Sequence, residues 1–412
     1  MNDDYLQRFR SRSAWERGRS GPPEGFPALP DIALGRYTDP AFLEAEMEGL
    51  FRKTWLYGVH ESELDGPGAY LLRQVAGAPV LFVRGDDGEV RAFFNACRHR
   101  GAPVVQGETG IARRLTCRYH SWSYDLQGCL VAVPDERDFV GLDPAARGLP
   151  PVRAERWGGW WFVTFDDDAE SLSDHLGPLR GLMADLAASP LRHLSTETVS
   201  LPCNWKVVAE AFLEVYHART IHPTTVAPTL DTRGTVISLF DRGHQSMISP
   251  VNTGARTDRR DQLPTIERLP ALLAAELNPA HGIFPNIVSP LDARGFPFLV
   301  FWPDGVDRSR LDIHWFVADW GDGPLPHQEL WDARLERFDR IMDEDYANLG
   351  PIQTSLRHAA HGGTVVNYQE RRIWHVHAWI DKTISRTLGP EAIPPGLAVP
   401  DLLADWVEDP LT

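Results

Sequence analysis

The sequence predicts an α+β protein of two successive domains, an all-β module and then an antiparallel sheet covered by helices. Three observations carry that reading. Residues 69–96 hold three short runs rich in strand formers, AYLLRQV, PVLFVRG and VRAFFNA, with a DDG turn between the second and third. After residue 165 the character changes, and apolar residues take helical spacing in 171–189 and 204–221. More strand-like runs and then long helical stretches complete the chain, an order that suits a sheet packed by helices.

Residues 1–45 read as an N-terminal arm. MNDDYLQRFRSRSAWERGRSG is polar and arginine-rich and lacks the apolar core of a signal peptide, and GPPEGFPALP after it is turn-forming. PAFLEAEMEGLFRKTWLY, residues 40–57, spaces its apolar residues like a helix. Residues 46–165 make the first domain, in which SYDLQGCLVAV and GGWWFVTFD continue the β character. Residues 166–412 make the second. Its helix at 204–221 is closed by Pro223, and its strands are TVISLF, QSMISP, GIFPNIVSP, FPFLVFWP and LDIHWFVADW. A long helix at 325–359 is expected to break near Gly350–Pro351, and RRIWHVHAWIDKTIS supplies another helix.

Charge and cysteine usage narrow the function. Lys+Arg 41 against Asp+Glu 57 leaves a net charge of −16 over 412 residues. So acidic a surface argues against nucleic acid or an anionic membrane as partner. It suits a cytoplasmic enzyme, or one that receives a basic patch on a protein partner. No apolar run has the length of a membrane span. Cys97, Cys117, Cys129 and Cys203 are too few for a disulfide framework, and Cys beside His in a reducing compartment points to metal.

Cys97 and His99 form one such pair, and Cys117 and His120 another, seventeen residues further on. Two thiols and two imidazoles suit a tetrahedral structural zinc. They equally suit a cluster with two Cys on one iron and two His on the other. The surrounding residues read Cys97-Arg98-His99-Arg100-Gly101 and Cys117-Arg118-Tyr119-His120-Ser121-Trp122. This resembles the Rieske box, CxHRG followed by CxxHGW, which implies a [2Fe–2S] cluster on two hairpin loops. Ser121 departs from that pattern, standing where the family has Gly. Cys129 and Cys203 have no paired His and read as ordinary small residues.

The second cluster of chemistry is NWKVVAEAFLEVYHARTIHP, residues 204–223. On a regular helix Glu210, Glu214 and His217 share one face, whereas His222 lies roughly 140° around from His217. The two histidines can meet only if the helix loosens, which Pro223 favours. Two His and a carboxylate with open positions form the facial triad of non-haem iron(II) oxygenases. The pattern NWK, Glu210, Phe212, Glu214, Tyr216, His217, His222 is similar to the iron-binding segment of Rieske oxygenase α-subunits.

That resemblance implies a Rieske domain followed by a helix-grip (Bet v1-like, START-like) catalytic domain with an antiparallel sheet. It implies His217 and His222 as iron ligands and a third from a distant helix. The match there is Asp345, with Asp343 and Glu344 as neighbours. It implies a mononuclear Fe(II) that activates O₂ and a homotrimer or hexamer in which Glu214 links His217 to His120 of the next chain. No strand–GxGxxG–helix unit is present, so electrons are expected from a separate NAD(P)H reductase, with or without a ferredoxin. The rival reading is a Rieske electron carrier without the second iron.

The substrate reading is an apolar or aromatic compound, possibly carboxylated. Monooxygenation, dihydroxylation, demethylation and the presence of a β-subunit stay open. The expected pocket lining is the two stretches 224–255 and 281–302, which include Phe240, Met247, Ile283, Phe284, Ile287 and Phe298, with Arg233, Arg242 and Arg256 nearby. Glu214, where many ring dioxygenases have Asp, keeps a quaternary ammonium substrate as the alternative, while the small residues Ala211 and Ala218 either widen the pocket or serve helix packing. An aromatic cage for such a cation needs Trp or Tyr, and these stretches have none before Trp302.

Overall fold

The computed structural model describes residues 3–252, 263–269, 276–360 and 362–406. They fold as two units, Phe51–Asp174 and a larger one that joins Met1–Leu50 to His175–Thr412.

The larger unit begins with α1 (Asp3–Gly18), β1 (Ile32–Ala33), α2 (Gly35–Thr38) and α3 (Pro40–Glu46). The expected arm is therefore a packed helix. Phe9, Ser13 and Glu16 are buried and share one helical stripe. Phe9 packs on Val236, Ile248 and Leu277, the Ser13 hydroxyl donates to the Gly234 carbonyl at 2.7 Å, and Arg17 pairs with Asp231 at 2.6 Å. The helix expected over 40–57 also ends early. After α3 comes a π-turn at Met47–Phe51, and Leu56–His60 is a fully buried strand. Pairing in a sheet overrides the helical spacing there.

The smaller unit is all β. Its strands are β2 (Leu56–His60), β3 (Ala69–Val75), β4 (Ala78–Arg84), β5 (Val90–Phe94), β6 (Thr109–Ile111), β7 (Leu115–Thr116), β8 (Ser123–Tyr124), β9 (Leu130–Ala132), β10 (Pro151–Trp157) and β11 (Trp160–Thr164). One antiparallel sheet runs β2-β11-β10-β5-β4-β3-β6, and a smaller one runs β7-β8-β9. The two Cys/His loops follow β5 and join β7 to β8. Their cysteines lie in the same apolar core as Leu81, Phe93, Leu115 and Trp122.

The larger unit continues with α4 (Leu172–Leu182), α5 (Ala184–Ala187), β12 (Leu191–Leu201), α6 (Trp205–Ala211), α7 (Ala218–Ile221), β13 (Val236–Leu239), β14 (Gln245–Pro250), β15 (Leu277–Ile283), β16 (Ile287–Pro290), β17 (Gly295–Pro303) and β18 (Ser309–Ala318). It closes with α8 (Gln328–His358), β19 (Gly363–Thr364), which pairs with β1, and α9 (Arg371–Leu388). The sheet is antiparallel in the order β12-β18-β17-β16-β15-β14-β13. With α8 and α9 packed on it, this is the α+β arrangement the sequence predicts. On α9, Arg371 donates to the Ile237 carbonyl at 3.1 Å and Arg372 to Gln245 Oε1 at 2.7 Å.

The expected break at Gly350–Pro351 does not occur, and α8 runs through both residues. The carbonyl four residues back, which loses its N–H donor to the proline, belongs to the exposed residue Ala347 and is therefore not stranded in a core.

Candidate metal centres

The two Cys/His loops repeat one local geometry. In the first, the Cys97 N–H donates to the Ala102 carbonyl at 2.8 Å and the Gly101 N–H to the Cys97 carbonyl at 2.9 Å. In the second, Cys117 N–H reaches the Trp122 carbonyl and Ser121 N–H the Cys117 carbonyl, both at 2.9 Å. The fourth residue after each cysteine is left-handed, Gly101 at φ +76° and Ser121 at φ +60°. The turn requires that conformation, which explains why a glycine is favoured where this chain has Ser121.

These turns bring four donors together. Cys97 and Cys117 are buried in one apolar core. The His99 and His120 rings lie 4.5 Å apart, and His99 stacks on Trp122 at 5.0 Å. His99 Nδ1 is buried with no hydrogen-bond partner. A buried imidazole nitrogen left unpaired in a ring of thiols and a second imidazole is what a bound metal group would satisfy. Sequence reasoning missed Tyr124. Its hydroxyl lies 3.3 Å from Cys97 Sγ and accepts the Arg98 N–H at 2.9 Å.

The second site needs a broken helix. The side chain of Asn204 caps α6 by accepting the Lys206 N–H at 3.1 Å, but the helix stops at Ala211. Tighter bonds, Phe212 N–H to Ala209 and Leu213 N–H to Glu210, each 3.0 Å, close it. Glu214 then accepts the backbone N–H groups of Tyr216 and His217, competing with the helical ladder and starting the turn before α7. Glu210, Glu214 and His217 therefore do not share one helical face, contrary to the spacing argument. Glu210 instead accepts from Tyr37 Oη at 2.9 Å and His377 Nε2 at 2.8 Å.

The break lets His217 and His222 meet with ring centroids 5.2 Å apart. Asp345 Oδ1 lies 3.1 Å from His222 Nε2 and 3.6 Å from His217 Nε2. One ligand atom from each of the three lies within 4.8 Å of the others. The outer nitrogens are held by carboxylates. His217 Nδ1 donates to Glu214, and His222 Nδ1 donates to Glu344 at 2.6 Å. A carboxylate can only accept, so each Nδ1 carries a proton, which leaves Nε2 as the atom that would ligate a bound metal. The three neighbouring acids thus separate: Asp345 is buried toward the histidines, Glu344 holds His222 from outside, and Asp343 is exposed. The role of Glu344 was not legible in the sequence.

A cavity of about 290 Å³ adjoins His217, His222 and Asp345. Both expected stretches line it, through Val226, Ser249, Leu291 and Leu299 among others, but of the side chains named from sequence only Met247 reaches it; Phe240, Ile283, Phe284, Ile287 and Phe298 do not. For Ile283, Ile287 and Phe298 strand alternation is the reason. Met247 and Ser249 of β14 and Pro297 and Leu299 of β17 face the cavity, while Phe298 turns away to pack on Phe316 at 5.0 Å. Arg233 and Arg242 do not line it, and Arg256 lies outside the described residues. The wall instead carries Trp315 and, from α8, Arg334, Arg337 and Phe338.

Comparison with known proteins identifies two domains. Residues 54–146 match the Rieske [2Fe–2S] domain, and residues 189–386 match the ring hydroxylating alpha subunit (catalytic domain). The chain is 35% identical to the carnitine monooxygenase oxygenase subunit of Escherichia coli over 207 residues, 49% of this chain and 55% of that protein. It is 37% identical to the biphenyl 2,3-dioxygenase alpha subunit of Rhodococcus jostii over 192 residues, 45% and 41% of the two chains. The chain thus spans about half the length of the curated relatives it matches. In fold it is similar to naphthalene 1,2-dioxygenase from Rhodococcus sp., with TM-score 0.74, 20% identity and 94% and 99% of the chains covered. It is also similar in fold to a quaternary ammonium Rieske monooxygenase, with TM-score 0.71, 21% identity and 87% and 97% covered. The two domains imply a Rieske cluster and a mononuclear iron, and the donor sets described above fit both. The chain thus carries a Rieske [2Fe–2S] domain followed by the catalytic domain of a ring hydroxylating alpha subunit.

Proposed function

We propose that this chain is the terminal oxygenase of a Rieske non-haem iron system, using O₂ and electrons from a separate NAD(P)H reductase, with or without a ferredoxin. Its substrate is a small apolar or aromatic molecule, carboxylated or not. The observation that carries the reading is the convergence of His217, His222 and Asp345 at a cavity of about 290 Å³, which an electron carrier has no use for.

Cys97, His99, Cys117 and His120 would hold the cluster, and His217, His222 and Asp345 the mononuclear iron. Bound there, the two groups supply single electrons and O₂ activation. Glu214 and Glu344 fix the tautomer and aim of the two imidazoles. The largely apolar wall, with Phe212, Val226, Leu299 and Ile341, keeps water from the reacting carbon. His120 and the flanking Tyr119 are exposed, and so is Tyr216 beside Glu214. That exposure supports a cyclic homo-oligomer in which Glu214 joins His217 to His120 of the adjoining copy.

The test is a single turnover. Protein reduced without oxygen is exposed to isotopically labelled O₂ in the presence of benzene, biphenyl or naphthalene. Labelled hydroxylated product from wild type and none from His217→Ala is the expected result. No labelled product from any of the three would reject the substrate class, and label persisting in His217→Ala would reject the site.

A further inference from the structure

We infer that the cavity is closed to quaternary ammonium ions by the chain's own Arg334, and that the substrate is uncharged or anionic. This rests on the cavity being the oxygenase's substrate chamber. A quaternary ammonium is recognised by bare aromatic faces and a nearby unpaired carboxylate, because it has no N–H to donate. The cavity does contain an indole, Trp315, but that ring already has two resident partners. Phe338 meets it edge-on at 5.1 Å, and the Arg334 guanidinium carbon sits 5.5 Å from its centroid. Arg334 is fixed there by donating to the Gly295 carbonyl at 2.7 Å, and it lies 3.7 Å from Asp292.

The acids of the wall are equally committed. Among the described lining residues these are Glu214, Asp345 and Asp292. Glu214 takes the proton side of His217, and Asp345 faces the two Nε2 atoms. Asp292 lies between Arg334 at 3.7 Å and Arg294 at 4.0 Å. Arg337 adds a second guanidinium to the wall and reaches the Thr225 carbonyl at 3.4 Å. Away from the three converging residues and Glu214, the described residues of the wall therefore supply two cations and one anion. A trimethylammonium fixed there would meet like charge.

The experiment compares two ligands of the same shape, tert-butylbenzene and phenyltrimethylammonium, which differ in the charge on one quaternary atom. Equilibrium binding to the iron-loaded protein is measured by calorimetry. The ferrous nitrosyl signal separately reports whether the mononuclear iron is present. The neutral ligand should bind at least about tenfold tighter, and Arg334→Gln should bring the ratio down severalfold. Arg337→Gln should do so to a smaller extent, and it decides the matter if Arg334→Gln does not fold. Equal or tighter binding of the cation, a ratio untouched in the folded variant, or binding of neither ligand would overturn the inference. A missing nitrosyl signal would instead count against the iron site, and so against the oxygenase reading.

Discussion

The two metal regions solve the same problem in different ways. At the Cys/His loops the donors are close in sequence, each loop is a self-contained turn, and one imidazole nitrogen is left buried and unpaired. At the His217 site the donors come from a broken helix and from α8, more than a hundred residues on, and both outer nitrogens are tied to carboxylates. The first arrangement relies on backbone turns to aim its ligands. The second relies on Glu214 and Glu344, because a helix end and a long helix do not constrain an imidazole by themselves. Damage to a turn should therefore act on folding and potential, and damage to a carboxylate on metal affinity.

The largest expected effect separates neighbours on α8. Asp345→Ala should lose the mononuclear iron, whereas Asp343→Ala should keep it, read as iron per chain. Next comes the anchor of the iron helix, the fully buried Lys206–Glu46 pair at 2.7 Å. Lys206→Met alone should cost about 3–5 kcal/mol in urea unfolding by stranding Glu46, and adding Glu46→Leu should recover most of it. Glu344→Ala should weaken iron binding about 10–100-fold in a chelator competition while cluster content stays unchanged. At the loops, Tyr124→Phe removes the hydroxyl beside Cys97 Sγ. The cluster potential should fall by about 40 mV, a hydrogen bond of about 1 kcal/mol expressed in a one-electron couple. The smallest effect is a gain: Ser121→Gly relieves a left-handed serine and should raise stability by roughly 0.5–1 kcal/mol.

The same contrast explains what the sequence disclosed. Cys97, His99, Cys117 and His120 were legible because their spacing is the structure: short turns need no tertiary knowledge. His217 and His222 were legible as a pair, but the helix carrying them was not, since Glu214 breaks it by taking backbone N–H groups that periodicity assigns to the ladder. Glu344 was only a neighbour of Asp345 in the sequence, and its contact shows once α8 is set against His222. The cavity wall was the least legible. Phe298 and Leu299 differ by one residue and face opposite sides, so composition could not choose between them without the strand register. Arg334 and Trp315 lie on separate elements, and only packing brings the cation to the ring.

The most direct measurement is iron and acid-labile sulfide per chain in wild type, His217→Ala and Cys97→Ser, all purified without oxygen. Two independent sites predict three irons and two sulfides in wild type, two and two in His217→Ala, and one iron without sulfide in Cys97→Ser. Two irons in both wild type and His217→Ala would contradict the mononuclear site and leave an electron carrier. Zinc without sulfide would contradict the cluster.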